Sequence, residues 1–318
     1  MIHLKKLGTA VAVGALTATT VVAQDSWPSQ AITFIIPYGS GGTSDTGART
    51  WGPYMEECLG TPIVFVNRPG AGGEVGFAEL ALAEPDGYTW GALNVPNSPL
   101  GEITKENPSY TMDDFVLLGN LYGSIVSINA RRGGAYESLD DLIAAAQDHQ
   151  VNLGISNLGS DDHTKMMTFI REAGINVTYI PLADAATSRN SVIGGHVDVS
   201  GNSFTEVVPF QEELITLAIA SPERRPELPD VPTFRELGYD VVGGSSHVIG
   251  APAGVPQDVV DKIDTCFQQV VVNPDFMADA EERSLLLQPM PATEVTEWLA
   301  KETENLREIW EEHPWTSQ

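Results

Sequence analysis

The sequence predicts an α/β protein that is divided into two domains. Short apolar segments typical of strands alternate with segments typical of helices along most of the chain. This alternation favours a parallel or mixed sheet covered by helices. The chain has 318 residues, more than a single hydrophobic core usually organises. We therefore expect two lobes, each built on its own sheet.

The order of the elements follows from the apolar pattern. Short apolar runs predict strands at 32–36, 63–67, 88–94, 115–121, 124–129, 152–155, 177–180, 197–200, 217–220 and 248–251. Longer segments predict helices at 44–59, 73–83, 139–149, 163–173, 257–272 and 294–311. The last helix carries an apolar stripe, Trp298, Leu306 and Trp310, which we expect to pack on a core. Residues 222–234 are rich in proline and charge and predict an exposed loop.

The N-terminus has the features of a secretory signal. Lys5 and Lys6 precede an apolar stretch of small residues at 7–22, and Val21 and Ala23 suit a cleavage site before Gln24. We expect residues 1–23 to be removed on export; the alternative is an uncleaved N-terminal anchor. No later segment approaches the roughly 20 apolar residues of a spanning helix, so a soluble mature protein is expected.

The charge of the chain excludes one class of partner. The formal net charge is −26, and loss of Lys5 and Lys6 with the signal would make it more negative. Such a field repels nucleic acid. An anionic ligand would therefore have to be held by local hydrogen-bond donors.

The loop after the first strand, in the segment IIPYGSGGTSDTGART (35–50), fails both phosphate-binding tests. A P-loop needs a lysine after its last glycine, but Gly42 is followed by Thr43 and Ser44. A dinucleotide fingerprint fits Gly39 and Gly41 but needs a third glycine where Ser44 stands.

The loop still has the general features of a strand that leads directly into the N-terminus of a helix. Unpaired N–H groups and the helix dipole favour a negative ligand there, and glycines allow its close approach. The segment NRPGAGGEVG (67–76) repeats the arrangement after the second strand. Two such turns at one edge of a sheet predict a ligand site. The alternative role of Thr43, Ser44 and Asp45 is helix capping.

Catalytic and metal motifs are weak. The sequence lacks a Gly-x-Ser-x-Gly elbow. Ser156 or Ser160 could join His163 and Asp45 in a triad, although their spacing does not support one, so we expect no enzyme activity. Asp161, Asp162 and His163 form either a cation site or the first turn of a helix. The six histidines lack the spacing of zinc ligands; these are His3, His149, His163, His196, His247 and His313. We therefore expect no metal and no cofactor.

Five segments of the sequence resemble those of a known family. Two short motifs within them, Asn-Arg-Pro-Gly-Ala-Gly-Gly and Ala-Pro-Ala-Gly-x-Pro, are specific to that family. In order they are WPSQAITFIIPYGSGGTSDTGAR, VNRPGAGGEVGFAELALAEPDGYTW, SNLGSDDH, IGGHVDVS and LAIASPERRPELPDVPTFRELGYD with APAGVP. Together they resemble the extracytoplasmic substrate-binding proteins of tripartite tricarboxylate transporters, the Bug/TctC type. The similarity covers nearly all of the chain after the signal.

The resemblance implies a periplasmic binding protein of the type II-like class, with a ligand cleft between two mixed-sheet lobes joined by crossover strands. Domain 1 would contain 24–120 and 243–318, and domain 2 would contain 121–242. The implied ligand is a small organic acid, a di- or tricarboxylate or an aromatic acid. The implied partners are the integral membrane permease subunits of a tripartite transporter.

The resemblance also implies the ligand-binding residues. Its first ligand loop corresponds to Tyr38–Asp45, and its counterpart in domain 2 to Ser156–His163. The residues that match are Tyr38, Ser40, Gly41, Gly42, Thr43, Ser44, Asp45, Asn94, Ser156, Asn157, Ser160, His163, Asn202 and Ser203. Hydroxyls, amides and backbone N–H groups can hold a carboxylate without a cationic side chain.

The sequence departs from the family pattern at three acidic positions. Asp161 and Asp162 stand where serine and proline are usual, and Asp184 lies in the loop that normally reads Pro-Tyr-Lys-Gly-Ser. If these carboxylates face the cleft, they would repel a dianion and favour an amino group or a bridging cation.

The two cysteines, Cys58 and Cys266, are far apart in sequence. In an exported protein they could form a disulfide or remain two buried thiols. The resemblance places both in domain 1, which strengthens the disulfide alternative and leaves both alternatives open.

The sequence thus predicts a secreted solute receptor. A serine hydrolase and a sensory ligand-binding module are the alternatives.

Overall fold

The computed structural model describes residues 27–283, 285–312 and 314–315. The predicted signal sequence, 1–23, lies outside the described residues. Within them, none of the helices combines the length and apolar character that a membrane crossing requires.

The chain alternates strands and helices as predicted. The strands are β1 (Ile32–Ile36), β2 (Ile63–Asn67), β3 (Thr89–Val95), β4 (Phe115–Gly123), β5 (Val126–Arg131), β6 (Val151–Ile155), β7 (Val177–Pro181), β8 (Val199–Ser203), β9 (Leu214–Ile219), β10 (Ser246–Pro252) and β11 (Leu286–Pro291). The helices are α1 (Thr43–Leu59), α2 (Glu74–Ala81), α3 (Asn97–Thr104), α4 (Leu139–Asp148), α5 (Asp161–Ala173), α6 (Ala185–Ile193), α7 (Phe204–Val207), α8 (Gln257–Val271), α9 (Pro274–Glu282) and α10 (Ala292–Glu312). Each predicted strand and helix is present, with bounds shifted by a few residues.

The strands form two mixed sheets. One has the order β11-β4-β10-β3-β1-β2, and the other has the order β7-β6-β8-β5-β9. We call the first sheet with its helices lobe 1 and the second with its helices lobe 2. In lobe 1, β1 pairs in parallel with β2 and β3; in lobe 2, β6 pairs in parallel with β7 and β8. The two-lobed α/β architecture is therefore confirmed.

The chain crosses between the lobes twice. It passes from β4 to β5 through residues 124–125, and it returns from β9 to β10 through residues 220–245. Backbone hydrogen bonds tie the two crossings together, since Ser124 N–H donates to Ser245 O at 2.7 Å. We call these paired segments, 124–125 and 220–245, the hinge. We keep the division into 24–120 with 243–318, and 121–242, as a proposal.

Five elements were not predicted: α3, α6, α7, α9 and β11. α7 has only four residues, too few for a periodic pattern. β11 contains Pro289 and Pro291, which is tolerated because the strand lies at the edge of its sheet. Proline in a short apolar run normally argues against a strand.

Each lobe has its own buried core. In lobe 1, Phe34, Trp51 and Trp90 are at most 1% exposed. In lobe 2, Phe169 and Phe234 are fully buried. A disulfide joins Cys58 of α1 to Cys266 of α8 within lobe 1, across a sequence separation of 208 positions. The structure thus selects the disulfide from the two alternatives for these cysteines.

Candidate functional site in the cleft between the lobes

The carboxyl ends of the parallel strands of both lobes meet at one cleft. In lobe 1, β1, β2 and β3 lead into the loops before α1, α2 and α3. In lobe 2, β6 and β7 lead into the loops before α5 and α6, and β8 runs directly into α7. Thr43 Oγ1 donates a hydrogen bond of 3.3 Å across the cleft to Glu206 Oε1. A β-carbon placed on Gly72 would lie 3.8 Å from Asn157 Oδ1 of the opposite lobe. Such strand ends are where α/β sheets bind ligands.

Asp45 supports the first loop. Its Oδ2 accepts from Ser40 Oγ at 3.2 Å and from Gly41 N–H at 3.0 Å. Its Oδ1 accepts from Asn67 Nδ2 at 3.1 Å and from Arg49, whose Nη2 lies 2.9 Å away. Burial alone would raise the pKa of Asp45, but these hydrogen bonds outweigh it and hold the pKa below its usual range. The structure therefore assigns Asp45 to shaping the loop, where Gly41 has a φ of +86°.

Ser44 belongs to a buried polar group beneath that loop. Asn94 Nδ2 donates to Ser44 Oγ at 2.9 Å and lies 2.8 Å from His247 Nδ1. Tyr122 stacks on His247 with ring centroids 4.4 Å apart, and its hydroxyl donates to Ser44 O at 3.1 Å. Burial lowers the pKa of His247 to about 3, so the ring is neutral. Nδ1 accepts from Asn94, which leaves Nε2 to carry the proton.

A hydrogen-bonded series connects His247 to the hinge and to lobe 2. His247 Nε2 lies 3.2 Å from Ser245 Oγ, and Ser245 Oγ lies 2.9 Å from Ser124 Oγ. Ser124 Oγ donates to Asp161 Oδ2 at 3.1 Å. In the sequence, His247 stands out only as one of six histidines without zinc spacing, and no motif marks Ser124 or Ser245. Residues so distant in the sequence give no local signal of this contact.

The matching loop of lobe 2 is organised by Asp162. Asp162 Oδ2 accepts from Ser156 N–H at 2.7 Å, and Oδ1 accepts from Ser156 Oγ at 2.7 Å and also from Ser160 Oγ. Ser160 is the N-cap of α5 and also donates to Asn157 O at 2.7 Å. Burial and the charge of Asp161 raise the pKa of Asp162 to about 7. The Asp162 carboxyl is turned into its own loop, as Asp45 is in lobe 1.

His163 is buried under aromatic rings. Its Nδ1 accepts from Gly159 N–H at 3.0 Å. The rings of Tyr179 and Trp315 meet it edge-on, with centroids 4.9 Å and 5.4 Å away. Burial lowers the pKa of His163 to about 4. His163 Nδ1 is thus engaged by a backbone N–H, and Ser156 and Ser160 direct their hydroxyls to Asp162 and Asn157, which is not the arrangement of a triad.

Three more of the predicted residues, Tyr38, Asn202 and Ser203, make contacts within their own lobes. Tyr38 donates its hydroxyl to Gly72 O at 3.1 Å, and burial with the charge of Asp161 raises the Tyr38 pKa. Asn202 is buried and links β8 to α6, because its Nδ2 donates to Ala185 O at 3.0 Å. Ser203 Oγ lies 3.2 Å from Thr205 Oγ1.

Two carboxylates of lobe 2, those of Asp161 and Glu206, lie on the side of the cleft that faces lobe 1. Burial raises the Asp161 pKa, and burial with the charge of Asp161 raises the Glu206 pKa to about 7. Asp161 stands out in the sequence as a departure from the family pattern, whereas no sequence pattern marks Glu206. Asp184, by contrast, is exposed and caps α6 by accepting from Thr187 N–H at 2.7 Å. In the part of the chain that the structure describes, no cluster of three or more His, Cys, Asp or Glu residues is placed to hold a metal.

Comparison with known sequences identifies relatives across most of the chain. Residues 48–312 match TctC, the tripartite tricarboxylate transporter family receptor. BugT of Bordetella pertussis is 29% identical over 247 residues, which are 75% of this chain and 76% of BugT. A UPF0065 protein of Cupriavidus necator is 28% identical over 278 residues, 85% of this chain and 84% of the relative.

Solved structures share the fold. The periplasmic binding protein BugD superposes with a TM-score of 0.81 at 24% identity, covering 90% of this chain and 98% of BugD. MatC of Rhodopseudomonas palustris, solved with bound malate, has a TM-score of 0.77 at 25% identity and covers 90% of this chain and 99% of MatC. An R. palustris protein solved with adipate has a TM-score of 0.79 at 23% identity, over 90% of this chain and 97% of that protein. On its matched length and its fold, the chain belongs to the tripartite tricarboxylate transporter receptor (TctC) family of periplasmic solute-binding proteins.

Proposed function

We propose that this receptor captures a small carboxylate between its lobes and presents it to the integral membrane permease subunits of a tripartite transporter. The observation that carries the proposal is the meeting of the two sets of strand ends, where Thr43 of α1 bonds to Glu206 of α7. A ligand held there contacts both lobes only when they are closed. Binding would therefore shift the equilibrium between open and closed lobes.

The donors proposed for the ligand carboxylate belong to lobe 1. The first N–H groups of α1 and α3 have no partner within their own helices and carry the positive end of the dipole. Ser98, in the first turn of α3, is fully buried and its Oγ lacks a hydrogen-bond partner. Asn94 Oδ1 is also buried and unpartnered, and as an amide oxygen it would accept from a donor group of the ligand rather than bind its carboxylate. We propose Tyr38, Thr43 and the backbone of 40–44 as further contacts from lobe 1, and Asn157 as a contact from lobe 2.

The proposal that the ligand is a carboxylate is supported by the related protein MatC, which was solved with bound malate. The family description supports the transporter partner. A role as a sensory module is the alternative, and a permease operon beside the coding gene would favour transport. The proposed location is the periplasm, after cleavage near Ala23.

A thermal-shift screen of mono-, di- and tricarboxylates, including malate and adipate, tests the proposal. A ligand that binds only the folded protein raises its melting temperature, so at least one acid should produce a concentration-dependent rise. Isothermal titration should then show weaker binding to Thr43→Val, whereas Thr265→Val on the exposed face of α8 should bind as wild type does. A response to sugars alone, with none to any acid, would refute the proposal.

A further inference from the structure

The cleft holds two carboxylates where a receptor for a dianion would need donors. Asp161 is the first residue of α5, and Glu206 lies in α7, both on lobe 2. Glu206 Oε1 meets Thr43 of lobe 1, and the charge of Asp161 reaches both Glu206 and Tyr38 of lobe 1. Both acidic groups therefore lie on the inner side of lobe 2, against the loop proposed to bind the ligand.

One oxygen of this pair is left without a partner. Glu206 Oε2 is buried and makes no hydrogen bond. A buried carboxylate oxygen without a donor is costly, so this position lacks a hydrogen-bond donor that a ligand could supply.

The charges of Arg189 and Lys165 lower the pKa of Glu206 and of Asp161, respectively, without an ion pair to either carboxylate. Arg189 directs Nη1 to the backbone oxygen of Glu206 at 3.2 Å, and its guanidinium lies 4.0 Å over the ring of Phe210. Lys165 lines a separate cavity of about 380 Å³ at the hinge, with Gly243 and Trp298. Among the described residues neither cation forms an ion pair with Asp161 or Glu206. The carboxylate of Glu206 thus remains without a salt-bridge partner.

The hydrogen bonds around Asp161 require an acceptor. The neutral His247 ring carries its proton on Nε2 and donates toward Ser245, Ser245 toward Ser124, and Ser124 to Asp161 Oδ2. Every donor in this series points toward lobe 2. The series therefore ends on Asp161 Oδ2, which serves as its acceptor.

We propose that the ligand carries an ammonium group, held between Asp161 and Glu206, in addition to the carboxylate held by lobe 1. The proposal rests on the proposed function and narrows its ligand class to zwitterions. An ammonium offers three N–H donors in different directions, which suits Glu206 Oε2 and an oxygen of Asp161. The net charge of −26 also favours a ligand that is not a dianion.

Matched ligands separate the two proposals. Isothermal titration with the purified full-length mature protein would compare three end groups on chains of equal length. One series is butyrate, succinate and 4-aminobutyrate. Further series vary the distance between the two end groups; they are based on glycine, β-alanine, 5-aminopentanoate and 6-aminohexanoate, each with its mono- and dicarboxylate counterparts. We expect an amino acid of one spacing to bind at least about tenfold more tightly than both counterparts, a difference typical of a charge pair.

Variants locate the ammonium. Glu206→Gln and Asp161→Asn should each reduce affinity for that amino acid about tenfold or more and leave binding of the monocarboxylate unchanged. Glu212→Gln, at an exposed position of lobe 2, is the control and should preserve the preference. If a variant does not fold, the wild-type ligand series decides. If a dicarboxylate binds as tightly as every amino acid, the proposed ammonium site is wrong but the proposed receptor function still holds. If none of these acids binds, both proposals are wrong.

Discussion

Ser124 Oγ donates a hydrogen bond of 3.1 Å to Asp161 Oδ2, and this bond joins the hinge to the first residue of α5. Ser124 also accepts from Ser245 N–H at 3.0 Å, so one hydroxyl connects both crossings of the hinge with the cleft. Through Ser245 and His247 the same series reaches Ser44 at the start of α1. The position of the cleft carboxylate is therefore coupled to the hinge and to the ligand loop.

Replacement of this hydroxyl should be costly. Ser124→Ala leaves Ser245 N–H and an oxygen of Asp161 without a partner, and we expect a loss of about 1–3 kcal/mol in the free energy of unfolding. Urea denaturation measures it. Ser109→Ala is the matched control, because Ser109 also donates to a carboxylate, that of Glu74, but at an exposed position. Equal losses in the two variants would show that the buried series is unimportant for stability.

The disulfide should contribute to the stability of lobe 1. Cys58 and Cys266 close a long stretch of chain, and loss of such a link typically costs about 2–5 kcal/mol because the unfolded chain gains freedom. We expect Cys58→Ser/Cys266→Ser to unfold at a lower urea concentration than the oxidised wild type. Wild type treated with a reductant should approach the stability of the variant. An unchanged midpoint in both experiments would contradict the prediction.

Local patterns predicted the features that depend on neighbouring residues. One alternative for Asp161, Asp162 and His163 was the first turn of a helix, and α5 does begin at Asp161, with Ser160 as its N-cap. The loop before α1 follows from its glycines. Asp161 and Asp162 were singled out as departures from a family pattern. Their separate orientations, one toward the hinge and one into its own loop, depend on contacts across the fold.

The sequence alone did not reveal residues that act through distant contacts. Glu206 lies in a helix of four residues, so no periodicity marks it, and its meeting with Thr43 spans 163 positions. His247 has no motif around it, yet the pairing of β10 with β3 places it opposite Asn94. Sheet order and lobe closure, rather than residue spacing, assemble this part of the site.

The raised pKa of Glu206 gives a pH dependence with a definite sign. Burial and the charge of Asp161 raise this pKa to about 7, with smaller influences from Arg189, Thr43 and Asp162. Between the ordinary carboxyl pKa of about 4.5 and about 7, the folded protein therefore binds more protons at Glu206 than the unfolded chain does. The stability that this group contributes is complete below the ordinary value and is lost as pH rises through about 7.

Glu206→Gln should remove this contribution. Relative to wild type, the variant should become more stable as pH increases from about 5 to about 8, by up to about 3 kcal/mol. Taking the difference between the two proteins cancels the opposite effect of His163, whose pKa is lowered to about 4 and whose contribution is lost as pH falls below its ordinary range. Thermal melts at several pH values provide the measurement. A constant difference between the two proteins would mean that Glu206 titrates in the folded state as it does in the unfolded chain.

Trp315 should favour the closed arrangement of the lobes. Its ring meets His163 of lobe 2 edge-on, with centroids 5.4 Å apart, and meets Trp310 of α10 with centroids 5.0 Å apart. α10 packs on lobe 1, so one indole bridges the lobes beside the cleft. Each such aromatic pair contributes about 0.5–1.5 kcal/mol, which is enough to change the populations of two conformations several-fold.

We expect Trp315→Ala to be more open without ligand, with a larger radius of gyration in solution scattering, and to bind its ligand several-fold more weakly. Trp315→Phe keeps a ring in place and should retain most of the wild-type behaviour; if Trp315→Ala has the radius and affinity of wild type, the contact does not influence closure.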